Sequence, residues 1–191
     1  FVHLHRHTQY SLHDGANQID PLMQQVKSFG QPAVAMTDHG NMFGAVEFYR
    51  KAKEAGVKPI IGCEAYMAPG SRLEKNSHLA HNDYYHLILL ATNLKGYQNL
   101  IKLVSKAYLE GFYYKPRMDK EILQQHHEGL IGLSGCLSGE VAYLIGQKDL
   151  EGATKAAGEY REIFGKDNYY LELQANGLEH QRIAHDRLLE I

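Results

Sequence analysis

Hydrophobic positions in this chain gather into short runs separated by stretches with helical spacing. Six runs read as strands: 1–5, "AVAMT" at 33–37, "PIIG" at 59–62, "YHLILLA" at 85–91, "GLIGL" at 129–133 and "YYLEL" at 169–173. Between them, Asp20 and Pro21 supply N-cap and N1 chemistry for a helix that "QVKSFG" closes at Gly30. Further helices are expected over 43–55, 96–109, 120–126 and 150–164, with another starting at Ser138. The stretch "APGSRLEKNSHLAHND", 68–83, combines turn formers with mixed charge and reads as an exposed loop. Strand and helix alternate, which is the rhythm of βα units and of a parallel sheet or barrel. With 191 residues, 44% of them hydrophobic, one domain over 1–191 can bury a sizeable core.

Composition then narrows the function classes. No run approaches the roughly 20 apolar residues of a membrane span, and the first residues lack the basic-then-apolar layout of a signal peptide, so a cytoplasmic protein without a membrane partner is expected. The net charge of −2 gives no global footprint for nucleic acid. A nucleic acid would have to be a local substrate or be held by another part of a larger protein. Cys63 and Cys136 are expected as thiols, buried or metal-binding, rather than as a disulfide.

The unusual chemistry lies in "FVHLHRHTQYSLHDG", where four histidines and an aspartate precede a turn glycine. Buried imidazoles need partners, so such a cluster asks for a chemical reason. His5 and His7 are two apart and share a face if the segment is extended. Asp14 follows a short turn, Asp38 and His39 end "AVAMT", Glu64 lies just past "PIIG", and Cys136 follows "GLIGL"; His86 departs from this pattern by falling early in its run. In a βα barrel the C-terminal strand ends meet on one rim, so these remote residues would converge there. Seven ligands exceed one tetrahedral zinc, and imidazoles, carboxylates and a thiolate suit zinc, manganese or iron. Two or three divalent metals, with no organic cofactor, are therefore expected. Such a centre clamps both oxygens of a phosphate ester and activates water, which makes phosphoester hydrolysis the expected reaction.

Alternatives stand beside several of these residues. His13 rivals Asp14 as a ligand, and Asp14-Gly15 also reads as a plain turn. Asp38 suits a partner that orients His39. Cys63 reads as core filler, whereas Cys136, between Gly135 and a helix start, sits where a thiolate is favoured. His3, His78, His81, His126, His127, His180 and His185 read as surface or helix-end residues. "GFYYKPRMDK" mixes basic and aromatic side chains, suiting either contact with a nucleic-acid strand or a packed aromatic loop.

Four segments, "HLHRHTQYSLHDG", "AMTDHGNMFGAVEFYRKAKEAGVKPIIGCEAY", "HLILLATNLKGYQNLIKLVSKAYLEGFYYKPRMD" and "LIGLSGCLSGEV", together resemble the polymerase and histidinol phosphatase (PHP) domain of bacterial replicative DNA polymerases, the DNA polymerase III alpha subunits. The resemblance covers most of the chain in the family's order. It implies a distorted seven-stranded βα barrel with His5, His7, Asp14, His39, Glu64, His86 and Cys136 at metal-binding positions. Glu64, Asp14 and His39 are the catalytic candidates within that set. The family also closes its site with a late Asp-x-His, which does not occur here. The resemblance therefore implies a chain truncated at its C-terminus, with two ligands and the polymerase's own magnesium-binding aspartates outside it.

Three functions follow as expectations. One is a 3'-5' exonuclease that proofreads at single-stranded or frayed DNA 3' ends, attached to the remainder of the polymerase chain. The second is a non-catalytic, metal-stabilised module that docks a separate proofreading subunit. The third is a small-molecule phosphatase of the histidinol phosphate type, against which the match in "LEGFYYKPRMD" speaks.

Overall fold

The computed structural model describes residues 1–75 and 84–191. His78 and His81, and the end of the expected 68–83 loop, lie outside the described residues. The elements run α1 (Ile19–Ser28), β1 (Ala33–Met36), α2 (Ala45–Ala55), β2 (Lys58–Met67), β3 (Tyr85–Ala91), α3 (Leu94–Leu109), β4 (Phe112–Tyr113), β5 (Lys115–Met118), α4 (Lys120–His126), β6 (Leu130–Leu133), α5 (Glu140–Gly146), α6 (Leu150–Phe164), β7 (Tyr169–Tyr170) and α7 (Glu179–Leu188). No helix among the described residues is long and apolar enough to cross a membrane.

All seven strands join one sheet, in the order β4-β5-β2-β3-β6-β7, with β1 also paired to β2. Gly40 N–H donates to Glu64 O (2.8 Å), Glu64 N–H to Asp38 O (3.0 Å) and Ala68 N–H to Met118 O (2.7 Å). Residues of equal parity on a strand point their backbone groups to the same edge. Hence β1 and β5 follow one another along one edge of β2, both parallel to it, while β3 takes the other edge.

The expected parallel sheet is corrected at β3, which runs antiparallel to both β2 and β6. Its continuous apolar run carries no sign of direction, because burial on both faces erases alternation. The stretch 112–118, for which a packed aromatic loop is one of the two expectations, is a hairpin of β4 and β5 turned at Tyr114 with φ 57°. Residues 1–5 form no ladder strand; the segment follows β1 and its continuation through single bonds, Ala35 N–H to His3 O (3.1 Å) and, one residue past each, Thr37 N–H to Arg6 O (2.8 Å). β7 is only two residues long. The N-cap of α1 is Gln18, so Asp20 falls in the first turn, where its carboxylate pairs with Lys51 (2.8 Å).

The period of two along β2 and β3 separates core from site. Cys63, Ala65, Met67, Tyr85, Leu87 and Leu89 face outward into the main core under α3, α4, α5 and α6. Ile88 and Leu90 share an inner cluster with Ala35 and Leu133. Alternation places Glu64, Tyr66 and His86 on that inner face too, and the register pairs Tyr66 with His86. A one-residue slip would send every one of these side chains to the wrong side. The inner face is closed by side chains: the segment after β7 returns to the first residues, where His5 Nδ1 meets Glu172 Oε1 at 2.8 Å. This is the distorted barrel.

Candidate metal centre

Glu64 is the hub. It lies within β2 rather than past its end, since β2 continues to Met67, and it is 1% exposed. Its Oε2 lies 3.0 Å from His5 Nε2, 3.1 Å from His7 Nε2 and 3.4 Å from His39 Nδ1, and its Oε1 faces His86 Nδ1. His86, early in its run, reaches the same rim because β3 enters where the parallel strands exit. The strand reversal explains the one residue that departed from the expected pattern.

The loop 8–15 is folded tightly enough to carry Asp14 over this cluster. The buried Asp38 carboxylate accepts from Thr8 N–H (2.6 Å), Thr8 Oγ1 (2.7 Å) and Ser11 Oγ (2.7 Å). It therefore braces the loop and does not touch the His39 ring, a correction to the expected orienting role. Gly15 permits the tight return, as a Cβ there would lie 1.8 Å from Thr8 O. Asp14 Oδ2 consequently lies 3.0 Å from His39 Nε2, while His13 is exposed. Directly after His39, Gly40 adopts φ +63° and leaves room for the Tyr66 ring, which stacks on His39 at 6.2 Å.

Cys136 stands at the edge of the cluster, its Sγ 3.9 Å from His86 Nδ1 and accepting from Ser138 N–H at 3.5 Å. Burial raises this thiol, but those two contacts outweigh burial and leave its pKa below the ordinary value. Cys63 faces the core, fully buried, and burial pushes its thiol up. His126 and His127 end α4 and His185 lies in the last turn of α7; His3 and His180 are exposed, with His3 on the cleft wall.

Glu172 and Gln174 were not among the expected residues. Glu172 follows β7 and bonds His5, and Gln174 Nε2 donates to Glu172 Oε1 at 2.7 Å. The available signal was Glu172 itself, the one charged residue in "YYLEL". The cluster opens into a cleft of about 1310 Å³ whose walls include Glu172 and Gln174 as well as the apolar Ile60, Leu90 and Ile131.

The electrostatics are those of a compact anion ringed by imidazoles. Burial alone would raise the Glu64 carboxyl, but hydrogen bonds from His5, His7 and His86 hold it far below the usual carboxylate range. Burial lowers His5, yet Glu172 and Glu64 together push it up to about 10. His86 is likewise depressed by burial and raised, by Cys136 and Glu64, to about 9. His7 is raised by Glu64, and Asp14 is lowered by its hydrogen bond with His39, against burial in both cases.

This donor set fits divalent metal. Three overlapping groups, His5-His7-Glu64, His7-Asp14-His39 and His39-Glu64-His86, each keep their ligand atoms within 4.8 Å of one another. His39 Nδ1 is buried with no hydrogen-bond partner, a cost that a coordinated ion would remove. Sharing of His7, His39 and Glu64 among the groups suits more than one ion. Ligating imidazoles must be neutral, so metal uptake at pH 7.5 should release about two protons, from His5 and His86. Calorimetric titration with zinc in buffers of different ionisation enthalpy measures that number. No net release would show that these imidazoles are not displaced from their protons.

The PHP domain model matches residues 3–176. The DNA polymerase III subunit alpha of Treponema pallidum is 51% identical over 191 residues, covering 100% of this chain and 16% of that protein. That of Thermus aquaticus is 52% identical over 193 residues, again covering 100% and 16%, and that of Aquifex aeolicus is 47% identical over 196 residues, covering 100% and 17%. The chain thus spans about a sixth of the length of these curated relatives. By the family model over residues 3–176 and the alignment of these relatives along the whole of it, the chain belongs to the PHP domain family.

Proposed function

We propose that residues 1–191 form one PHP domain of a cytoplasmic replicative DNA polymerase and that its metal centre hydrolyses phosphodiesters at DNA 3' ends, as a proofreading 3'-5' exonuclease. The observation that carries this reading is the set of three donor groups fused through Glu64, His7 and His39. Two or three zinc, manganese or iron ions held there would clamp phosphate oxygens and activate water. Glu64 and the histidines hold the ions, with Cys136 at the periphery. Asp14, half-exposed and ionised, lies against His39 Nε2 at 3.0 Å, so its carboxylate, oriented by that ring, can take a proton from water or return one to the leaving oxygen. The hairpin of "GFYYKPRM" is packed at Arg117, whose guanidinium lies 5.0 Å over Tyr113, yet it leaves Tyr114 75% exposed beside Lys115. An aromatic tip next to a cation suits stacking and phosphate contact with a single strand.

A second reading has its own support. The cluster ties segments from His5 to Glu172 into one ring, so bound metal would also close the barrel, as in a structural module that supports the remaining polymerase chain or docks a proofreading subunit. The test uses 5'-labelled single-stranded DNA and a polypeptide that carries this domain together with the Asp-x-His the resemblance implies, loaded with manganese or zinc. The catalytic reading expects shortening from the 3' end that chelation stops and that Asp14→Asn slows by roughly 100-fold or more. A metal-loaded, folded protein that leaves every 3' end intact would replace it with the structural module.

A further inference from the structure

The two central histidines present their rings in the same way. His5 and His7 both turn Nε2 toward Glu64, at 3.0 and 3.1 Å, and both anchor Nδ1 behind. The anchors differ in kind. His7 Nδ1 meets the backbone carbonyl of Thr37 at 2.9 Å, whereas His5 Nδ1 meets the Glu172 carboxylate at 2.8 Å. Glu172 is itself held: its backbone N–H donates to Ser134 Oγ at 2.8 Å, and Gln174 Nε2 donates to its Oε1. Its Oε2 is buried without a hydrogen-bond partner. A carboxylate so placed behind an imidazole fixes the tautomer with hydrogen on Nδ1, aims the Nε2 lone pair forward and makes that nitrogen a better donor.

We propose that Glu172 is a positioning residue for the metal centre, acting through His5, and that Gln174 holds it in place. The inference rests on the metal-centre reading but not on the reaction assigned to it. Among the described residues, His5 is the candidate ligand that Glu172 hydrogen-bonds, so its effect passes through the His5 ring. The arrangement also makes the segment after β7 part of the centre, since closing the barrel and orienting His5 are one contact.

The test reads zinc binding and the state of the His5 ring in the 191-residue chain, without any turnover. With ¹⁵N-labelled histidine, zinc-loaded wild type should show His5 protonated on Nδ1 and unprotonated on Nε2. Glu172→Ala should weaken zinc binding by roughly 10-fold to 100-fold and broaden or shift that His5 signal. Glu172→Gln, which keeps size and an acceptor oxygen, should retain the tautomer while losing part of the affinity, and guards against a fold lost in the alanine variant. Glu179→Gln, at an exposed carboxylate on α7, should change neither. A purely structural Glu172 would lower the melting temperature while leaving zinc affinity and the His5 spectrum of the folded protein unchanged, and that result overturns the proposal alone. Wild type that binds no zinc overturns the proposal together with the metal-centre reading.

Discussion

Glu64→Gln is expected to be the most damaging single substitution in the chain. Three imidazole nitrogens lie within 3.4 Å of its Oε2 and His86 faces its Oε1, all at a residue 1% exposed. The amide removes the negative charge and turns an N–H₂ group toward imidazoles that need an acceptor. His86, protonated at neutral pH beside the ionised carboxylate, would then lose that partner, and His5 would keep only Glu172. Breaking a buried ion pair by removing one partner costs about 3–5 kcal/mol, because the remaining charge stays buried and unpaired. The metal-free variant should show a denaturant midpoint lowered accordingly at pH 6. Its zinc affinity should fall by more than the roughly 10-fold to 100-fold typical of losing a partner behind a ligand. An unchanged midpoint in the metal-free variant would mean that Glu64 does not organise this cluster. Activity on DNA ends, if the proposed reaction holds, should vanish with it.

Much of this centre was legible in the sequence because its residues sit at positions fixed by strand periodicity. His5 and His7 share a face by spacing alone, and His39 and Cys136 follow strands whose apolar runs mark their own ends. The direction of β3 was not legible: "YHLILLA" is apolar at nearly every position, so nothing in it records which end meets the rim. The position of His86 did carry the information, since a side chain early in a run reaches the common rim only if that strand is reversed. The true length of β2 was hidden for the opposite reason, as Glu64 interrupts the apolar run and yet continues the strand, its charge satisfied by three imidazoles. Asp38 reads as a partner of its neighbour His39, but its carboxylate finds Thr8 and Ser11 across 27 to 30 residues of sequence. Glu172 was missed because its role depends on the sheet curling back to residue 5, a contact 167 residues apart. Local patterns report which face a side chain takes, and they do not report where the sheet closes.

Removing metal should cost this protein more stability at pH 9 than at pH 6. In the metal-free state the folded pKa of His5 is raised from 6.5 to about 10 and that of His86 to about 9, both against the opposing effect of burial. A group raised on folding contributes stability that is fully present below its unfolded value and is lost as pH climbs through its folded value. Metal-free protein should therefore weaken progressively from pH 6.5 to 10. Glu64 has the opposite sign: its folded pKa is depressed from 4.5, so its contribution holds above 4.5 and fails on acidification below that. These are two views of the same contacts and count once, leaving the metal-free protein most stable between about pH 4.5 and 6.5. Taking His5 alone, at about 1.4 kcal/mol per pH unit between 6.5 and about 10, the full alkaline loss is on the order of 5 kcal/mol. Loaded protein follows the other trend, because protons compete with metal for the same imidazoles and that competition fades as pH rises. Melting curves recorded from pH 6 to pH 9.5 with zinc or with chelator should thus diverge, the gap widening steadily toward the alkaline end. If the chelated protein melts at the same temperature across pH 6.5 to 9, or melts higher as pH rises, then His5 and His86 do not carry their protons in the folded state, and the picture of Glu64 as an anion paired with cationic His5 and His86 is wrong.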